Sequence, residues 1–300
     1  MKRSHILVSI VLLVLALDQA LKVWVKTNMS YGEYFTLLDF DWARIHFVEN
    51  PGMAFGATLG PSQGKIILGL FVLATIAFVI YFFKNRTKLG IPIGLVGSFL
   101  IVIALALGFG LSTSNGDYGK LALSLFRIAA VFFLIYYIGQ LLQAKVHFGL
   151  LLSFALILAG ALGNIIDSVI YGQIFSASYV HGPVAELFPA EGGYAGFLYG
   201  KVVDMFHFPL FKGYFPSWFP FWSGEPFEFF RPVFNLADTS ISLGVINILL
   251  FQRDFFAEVE EASENKETSA ISTEEENINK ELIDKTTEKT IDEVGDTTTE

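Results

Sequence analysis

The sequence predicts an all-α, multi-span membrane protein with one small β element outside the spans. Three observations carry this. The 300 residues are 53% hydrophobic and 15% aromatic, an apolar share above that of soluble globular domains. The chain contains six apolar stretches near the roughly 20 residues that a hydrocarbon core requires. Between Phe35 and Val48 the order Phe40, Trp42, Ile45, Phe47 with intervening polar residues alternates at the period of a strand or hairpin.

The first span covers residues 6–25, after Met1-Lys2-Arg3. It resembles a signal peptide at its start, but the apolar run continues past Asp18 to Val25 without a small-residue cleavage site, so an uncleaved span is expected. Segment 26–65 follows and holds the strand-like stretch. Spans at 66–83 and 91–111 are separated by Lys84-Asn85-Arg86-Thr87-Lys88, and two more run over 121–142 and 148–170. Segment 171–232 precedes the last span, 233–251. Its end is rich in rings, with thirteen Phe, Tyr and Trp in residues 205–234. That suits a loop in the headgroup layer, where aromatic side chains are favoured, or a packed loop using them as core. Gly64-Lys65-Ile66-Ile67-Leu68-Gly69-Leu70-Phe71 echoes Gly119-Lys120-Leu121-Ala122-Leu123-Ser124-Leu125-Phe126, a slight sign of duplication.

The formal charge of −9 belongs to one end. Residues 252–300 carry 16 acids against 5 bases, leaving 13 acids and 15 bases for the body. The terminal segment reads as an acidic, disordered cytoplasmic tail, and the balance of the body gives no sign of a nucleic-acid partner. Lys2, Arg3, Lys84, Arg86, Lys88, Lys145 and Arg253 fall on one side of a six-span arrangement. By the positive-inside rule that side is cytoplasmic, although Lys26, Arg44, Lys65, Lys120, Lys201, Lys212 and Arg231 oppose the bias. Both termini are expected inside, and segments 26–65, 112–120 and 171–232 outside.

With no cysteine, disulfides and thiolate chemistry are excluded. Five scattered histidines offer no metal site, and no cofactor is expected. The chemistry-bearing candidates are Asp204, in Val202-Val203-Asp204-Met205-Phe206, and Asp238, in Phe234-Asn235-Leu236-Ala237-Asp238. A carboxylate at the centre of a span costs about 2.5–3.5 kcal/mol on insertion scales, so such residues are functional candidates. If the two approach, like charges cannot both ionise comfortably, and one keeps a proton near neutrality. The pair is then an acid and a base together. Taken alone, Asp238 reads more readily as a helix cap. Asp18 and Lys22 stand at i,i+4 and can pair on one helix face. Asp167 also reads as structural; Gly160-Ala161-Leu162-Gly163 allows close helix approach, and Asn164 can cross-link spans.

In order along the chain, Asp18-Gln19-x-x-Lys22, Asn50-Pro51-Gly52-Met53-Ala54-Phe55-Gly56, Gly160-Ala161-Leu162-Gly163-Asn164-Ile165-Ile166-Asp167, Val202-Val203-Asp204-Met205-Phe206 and Phe234-Asn235-Leu236-Ala237-Asp238 stand at span boundaries. Over most of residues 5–251 this set resembles the lipoprotein signal peptidases, or signal peptidase II. The resemblance implies a membrane peptidase domain at 1–251, built from a usual four-helix core, with a small periplasmic β-cradle between Tyr34 and Phe55. It implies an aspartyl endopeptidase of the bacterial inner membrane, active at the periplasmic side. It would cut diacylglyceryl-modified prolipoproteins just before the lipidated cysteine and be a target of the cyclic peptide globomycin. Asp204 and Asp238 match the catalytic pair. Asn50, Gly52, Gly160, Asn164 and Asn235 match residues lining the site; Asp18, Lys22 and Asp167 match supporting positions. Signal peptides of lipoproteins and membrane lipids are the expected partners of a monomer.

Three departures accompany the likeness. Ser168 stands where the family commonly has Arg, and Arg231 is a candidate to supply that charge. Residues 171–201 lengthen the connection before Asp204, and residues 66–111 form an inserted hairpin beyond the usual four spans. Two rival classes stay open at this point: a proton-coupled transporter using intramembrane carboxylates, and a non-catalytic scaffold.

Overall fold

A computed structural model describes residues 2–51, 61–85, 93–112, 117–218, 220 and 222–252. Gly52, the rest of the Met53–Gly56 motif and the tail from Arg253 lie outside the described residues. One compact unit runs to Ile246; the second begins at Asn247 and is described only through Gln252.

Among the described residues, five helices are long and apolar enough to cross a bilayer: α1 (Arg3–Asn28), α2 (Pro61–Lys84), α3 (Ile93–Ser112), α4 (Tyr118–Gln143) and α5 (Phe148–Ile166) with its continuation to Ile174. Large apolar side chains such as Leu12 and Leu13 on α1, Leu70 and Leu73 on α2, and Phe126 and Phe133 on α4 face outward. In water such surfaces would drive association; in hydrocarbon they face their natural solvent, and the helices satisfy their own backbone. The protein is thus a multi-pass membrane protein with a small antiparallel sheet. A sixth, shorter apolar helix, α6 (Leu236–Phe251), starts three residues after the expected span boundary at 233. Val233 and Phe234 are taken into a strand instead.

The pair α2 and α3 does not form a self-contained hairpin, because each packs chiefly on α4. Phe99 of α3 touches both Phe78 of α2 (6.4 Å) and Phe132 of α4 (5.6 Å). The echoed glycines meet here: a Cβ on Gly64 would lie 2.4 Å from the Gly119 nitrogen, so α2 and α4 touch backbone to backbone in their first turns.

The cradle is a four-stranded antiparallel sheet in the order β1 (Tyr34–Leu37), β2 (Phe40–Asn50), β3 (Val202–His207), β6 (Val233–Phe234). Leu38 (φ 51°) and Asp39 (φ 60°) make the tight turn between β1 and β2, both residues having the positive φ of a type I′ hairpin. The register places Val48 opposite Asp204 and Asn50 opposite Val202. The cradle therefore recruits two strands from far beyond the Tyr34–Phe55 stretch. Two further strands, β4 (Phe211–Tyr214) and β5 (Pro226–Phe229), form a separate hairpin with Tyr214, Trp218 and Trp222 exposed.

Val25, Met29, Phe47, Tyr171, Phe175, Val203 and Met205 form the core that joins the end of α1 to β2 and β3. Beneath it α5 widens into a π-turn, Asp167–Tyr171. The extension 171–201 folds back onto this turn. Gly200 N–H donates to the Ser168 carbonyl (2.9 Å) and Ala195 N–H to that of Gly172 (2.8 Å). A Cβ on Gly200 would lie 2.1 Å from the Asp167 carbonyl oxygen, so glycine alone permits this approach.

Candidate active site

The site begins on α1, where Asp18, Gln19 and Lys22 share one helix face. Lys22 is fully buried, and its ammonium has three donors to place. They go to Asp18 Oδ2 (2.9 Å), Asp167 Oδ2 (2.8 Å) and Asn164 Oδ1 (3.0 Å). A buried cation is tolerated only with such complete pairing. Gln19 Nε2 donates to Asp167 Oδ1 (3.0 Å), and its oxygen accepts from the Tyr171 hydroxyl (3.0 Å). Asp167 also accepts from the Val203 N–H (3.3 Å), tying strand β3 to the π-turn.

The start of α6 is held by the same cluster. Asp18 Oδ1 accepts the Ala237 N–H (2.9 Å), placing a carboxylate at the positive end of the helix. Gly160 and Gly163 of α5 make the approach possible: a Cβ on Gly160 would lie 2.2 Å from the Ala237 carbonyl oxygen, and one on Gly163 2.7 Å from Asp18 Oδ2. Asn235 is the N-cap of α6. Its Oδ1 accepts the Asp238 N–H (2.9 Å), while Asp238 Oδ2 accepts the Asn235 N–H (3.3 Å), a reciprocal capping box. The cap reading of Asp238 thus accounts for one of its oxygens. The other, Oδ1, accepts from Asn164 Nδ2 (2.8 Å).

Strand alternation sends Val203 and Met205 into the core and turns Asp204 to the opposite face, toward α6. Asp204 is 3% exposed. Its Oδ1 accepts from Asn235 Nδ2 (2.7 Å) and its Oδ2 from Asn50 Nδ2 (3.1 Å). Burial, then the charge of Asp238, pushes the Asp204 carboxyl up to about 7 against the opposing pull of the Asn50 and Asn235 amides and Lys22.

Of the candidates named from sequence, Asp18, Lys22, Asn50, Asn164, Asp167, Asp204, Asn235 and Asp238 form one connected polar network, with Gly160 packed at the base of α6. Gly52 is outside the described residues. Arg231 is exposed beside the β4–β5 hairpin. The cation beside Ser168 is instead Arg127 of α4, whose Nη1 lies 3.4 Å from Ser168 Oγ. Reading the sequence missed Arg127, although it is the only charged residue between Leu121 and Leu142, an intramembrane signal like that of the aspartates.

A second buried cluster also went unread. Lys26, with rings of Phe175 and Tyr194 within 5.3 Å and 5.0 Å of its nitrogen, pairs with Glu49, which also binds Lys201 (3.0 Å) and Ser178 (3.0 Å). Burial pushes the Glu49 carboxyl up, but Lys26 and Lys201 overcome this and hold it below the usual range. Glu49 immediately precedes Asn50, so this cluster anchors the strand end that delivers an amide to Asp204.

Fold and site together define a multi-pass membrane protein whose buried carboxylates gather where the cradle meets the helices. The family model described as signal peptidase (SPase) II matches residues 10–108 and 93–253. The chain belongs to the signal peptidase II family, and is thus a protease. It is 40% identical over 249 residues to a lipoprotein signal peptidase of Porphyromonas gingivalis, covering 83% of each chain. It is 29% identical over 245 residues to one of Amoebophilus asiaticus, covering 81% of this chain and 76% of that one. Among solved structures, one titled "Bacterial membrane enzyme structure by the in meso method at 2.3 A resolution" aligns with a TM-score of 0.38 at 19% identity, covering 84% of this chain and 90% of that one.

Proposed function

We propose that this chain is an aspartic endopeptidase of the bacterial inner membrane, removing signal peptides from diacylglyceryl-modified prolipoproteins on the N-terminal side of the lipidated cysteine. The observation that carries the reading is the joining of Asp204 and Asp238 through the shared amides of Asn235 and Asn164. The name lipoprotein signal peptidase borne by its relatives supports the substrate class.

Asp238, both of whose oxygens accept N–H donors, acts as the ionised partner and takes a proton from water. The hydroxide adds to the scissile carbonyl carbon as Asp204, protonated near neutrality, gives its proton to the carbonyl oxygen. Collapse of the resulting gem-diol breaks the C–N bond: the proton held by Asp238 passes to the departing amine, and a gem-diol hydroxyl returns its proton to Asp204 as the C=O bond re-forms. No covalent enzyme intermediate forms. Asn50, Asn235 and Asn164 hold the two carboxyls in register, and the Lys22 cluster beneath them supports both. The site opens toward the periplasmic face with both termini cytoplasmic, an orientation supported by the basic residues near the helix ends. Adding α2 and α3 as a pair leaves it unchanged.

Substitution tests the reading. Asp204→Asn and Asp238→Asn should each insert normally and leave prolipoprotein unprocessed. Full processing by both variants would end the proposal.

A further inference from the structure

Each strand of the β4–β5 hairpin packs chiefly on the other, and a two-stranded hairpin alone in water is marginal at best. Its ladder sorts side chains by face. Phe211 opposite Phe229 and Gly213 opposite Phe227 lie on one face; Lys212 opposite Glu228 lies on the other. On the first face Phe211 stacks on Phe229 at 4.7 Å. The Phe227 ring lies across Gly213, where a Cβ would come within 2.8 Å of it. Even so stacked, Phe211 and Phe229 are 52% and 49% exposed. On the second face Lys212 and Glu228 form an ion pair (3.3 Å) suited to water. The hairpin is therefore amphipathic, with rings on one side and charges on the other.

Its neighbours place it at the boundary between lipid and water. Phe230 packs on Phe234 of β6 (6.0 Å), and Leu236, two residues on, opens α6, whose Leu243 and Ile246 face outward. Phe208 touches Phe234 (5.7 Å) and Trp42 of β2 (6.4 Å), so a row of rings joins the cradle to the hairpin. The cradle itself is cored against the end of α1, a helix long enough to cross the bilayer. Rings with one apolar side are favoured in the headgroup layer at such helix ends. The hairpin's charges cancel, Lys212 and Arg231 against Glu225 and Glu228, so burial of rings and not a net charge is what would hold it there. We propose that the ring face of the β4–β5 hairpin lies in the headgroup layer of the surrounding bilayer, with the Lys212–Glu228 face turned to water, and so anchors the β6 edge of the cradle to the membrane surface.

The chain has no cysteine, so a single spin label can be introduced without background. Full-length protein carrying Phe229→Cys or its neighbour Glu228→Cys is labelled and reconstituted in phosphatidylcholine vesicles. Collisions of the label with oxygen, which concentrates in lipid, are compared with collisions with a water-soluble nickel chelate. The label at 229 should favour oxygen and the label at 228 nickel, a reversal between adjacent residues that follows the two-residue period of a strand. Nickel-favoured collisions at both positions would place the hairpin in water and overturn the proposal. So would a label at 229 shielded from both reagents, which would show protein, such as a second copy of this chain, covering the face. Should either label unsettle the hairpin, a ring-for-ring exchange decides: Phe211→Trp in a chain whose Trp24, Trp42, Trp218 and Trp222 are changed to Phe. Its emission should be lost in vesicles of chain-brominated phosphatidylcholine and resist aqueous iodide. Emission that survives bromine and is quenched by iodide overturns the proposal. Both measurements are made without substrate, so their outcome is independent of the peptidase reading, which the aspartate variants test.

Discussion

Asn235 donates from Nδ2 to Asp204 Oδ1 at 2.7 Å, while its Oδ1 accepts the Asp238 N–H at 2.9 Å. One side chain thus couples a strand to the start of a helix and sets two carboxylates in a common frame. Asn164 closes the arrangement from α5, accepting from Asn235 (3.2 Å) and donating to Asp238 (2.8 Å).

The two duties of Asn235 are separable. In Asn235→Ser the hydroxyl can still accept as an N-cap, so helix stability should change by only a few tenths of a kcal/mol. The donor to Asp204 is gone, and cleavage should fall by about ten- to a hundredfold, as for supporting residues that orient a site. Thermal unfolding in detergent and initial cleavage rates check the two halves. Equal losses in both would show that the amide serves packing alone.

Cleavage should decline on the alkaline side as Asp204 loses its proton near pH 7, the value to which burial and the Asp238 charge raise it. Because acid and base act as a coupled pair, the profile is expected to be bell-shaped, with apparent values that belong to the pair. Rates constant from acidic to mildly alkaline pH would contradict a carboxylic acid as proton donor.

Glu49 governs an acid sensitivity of stability. Its folded-state affinity for protons is depressed by Lys26 and Lys201, so its contribution is fully present above the unfolded value of about 4.3. It is lost as pH falls through the lower, folded value. Glu49→Gln should therefore lower the unfolding temperature at neutral pH, where the ion pairs are intact, and narrow the gap to wild type in acid. A gap that does not vary with pH would assign the loss to packing.

Gly160→Ala should be damaging out of proportion to one methyl group. The new Cβ would meet the Ala237 carbonyl oxygen, a backbone atom that cannot rotate away, so α6 must retreat from α5. Cleavage should drop and unfolding occur at lower temperature. Gly97→Ala, on α3 with nothing within 4 Å, is the matched control and should behave as wild type.

Much of the site was legible in the chain because its residues violate their surroundings. Asp18, Lys22, Asn164 and Asp167 are polar groups in apolar stretches, where each must find a partner. Arg127 emits the same signal, but Ser168, which it contacts, lies on another element at an unrelated sequence position. Glu49 and Lys26 were not legible, since a charged pair near a span end looks like a solvated boundary. The strand alternation at 35–48 indicated β structure, but nothing local showed that Val202–His207 and Val233–Phe234 would complete the sheet. The pairing of β2 with β3 spans more than 150 residues.

By itself, then, the sequence determined the membrane class, the approximate helix boundaries and the isolated polar groups from which the site is proposed, because length, hydropathy and isolated polarity are local properties. Tertiary structure alone decided that Asn235 bridges those carboxylates, that α2 and α3 flank α4, and that a guanidinium arrives from α4 beside Ser168. The physical reason is that hydrogen bonds and charge compensation depend on distances between segments, and only packing establishes those distances.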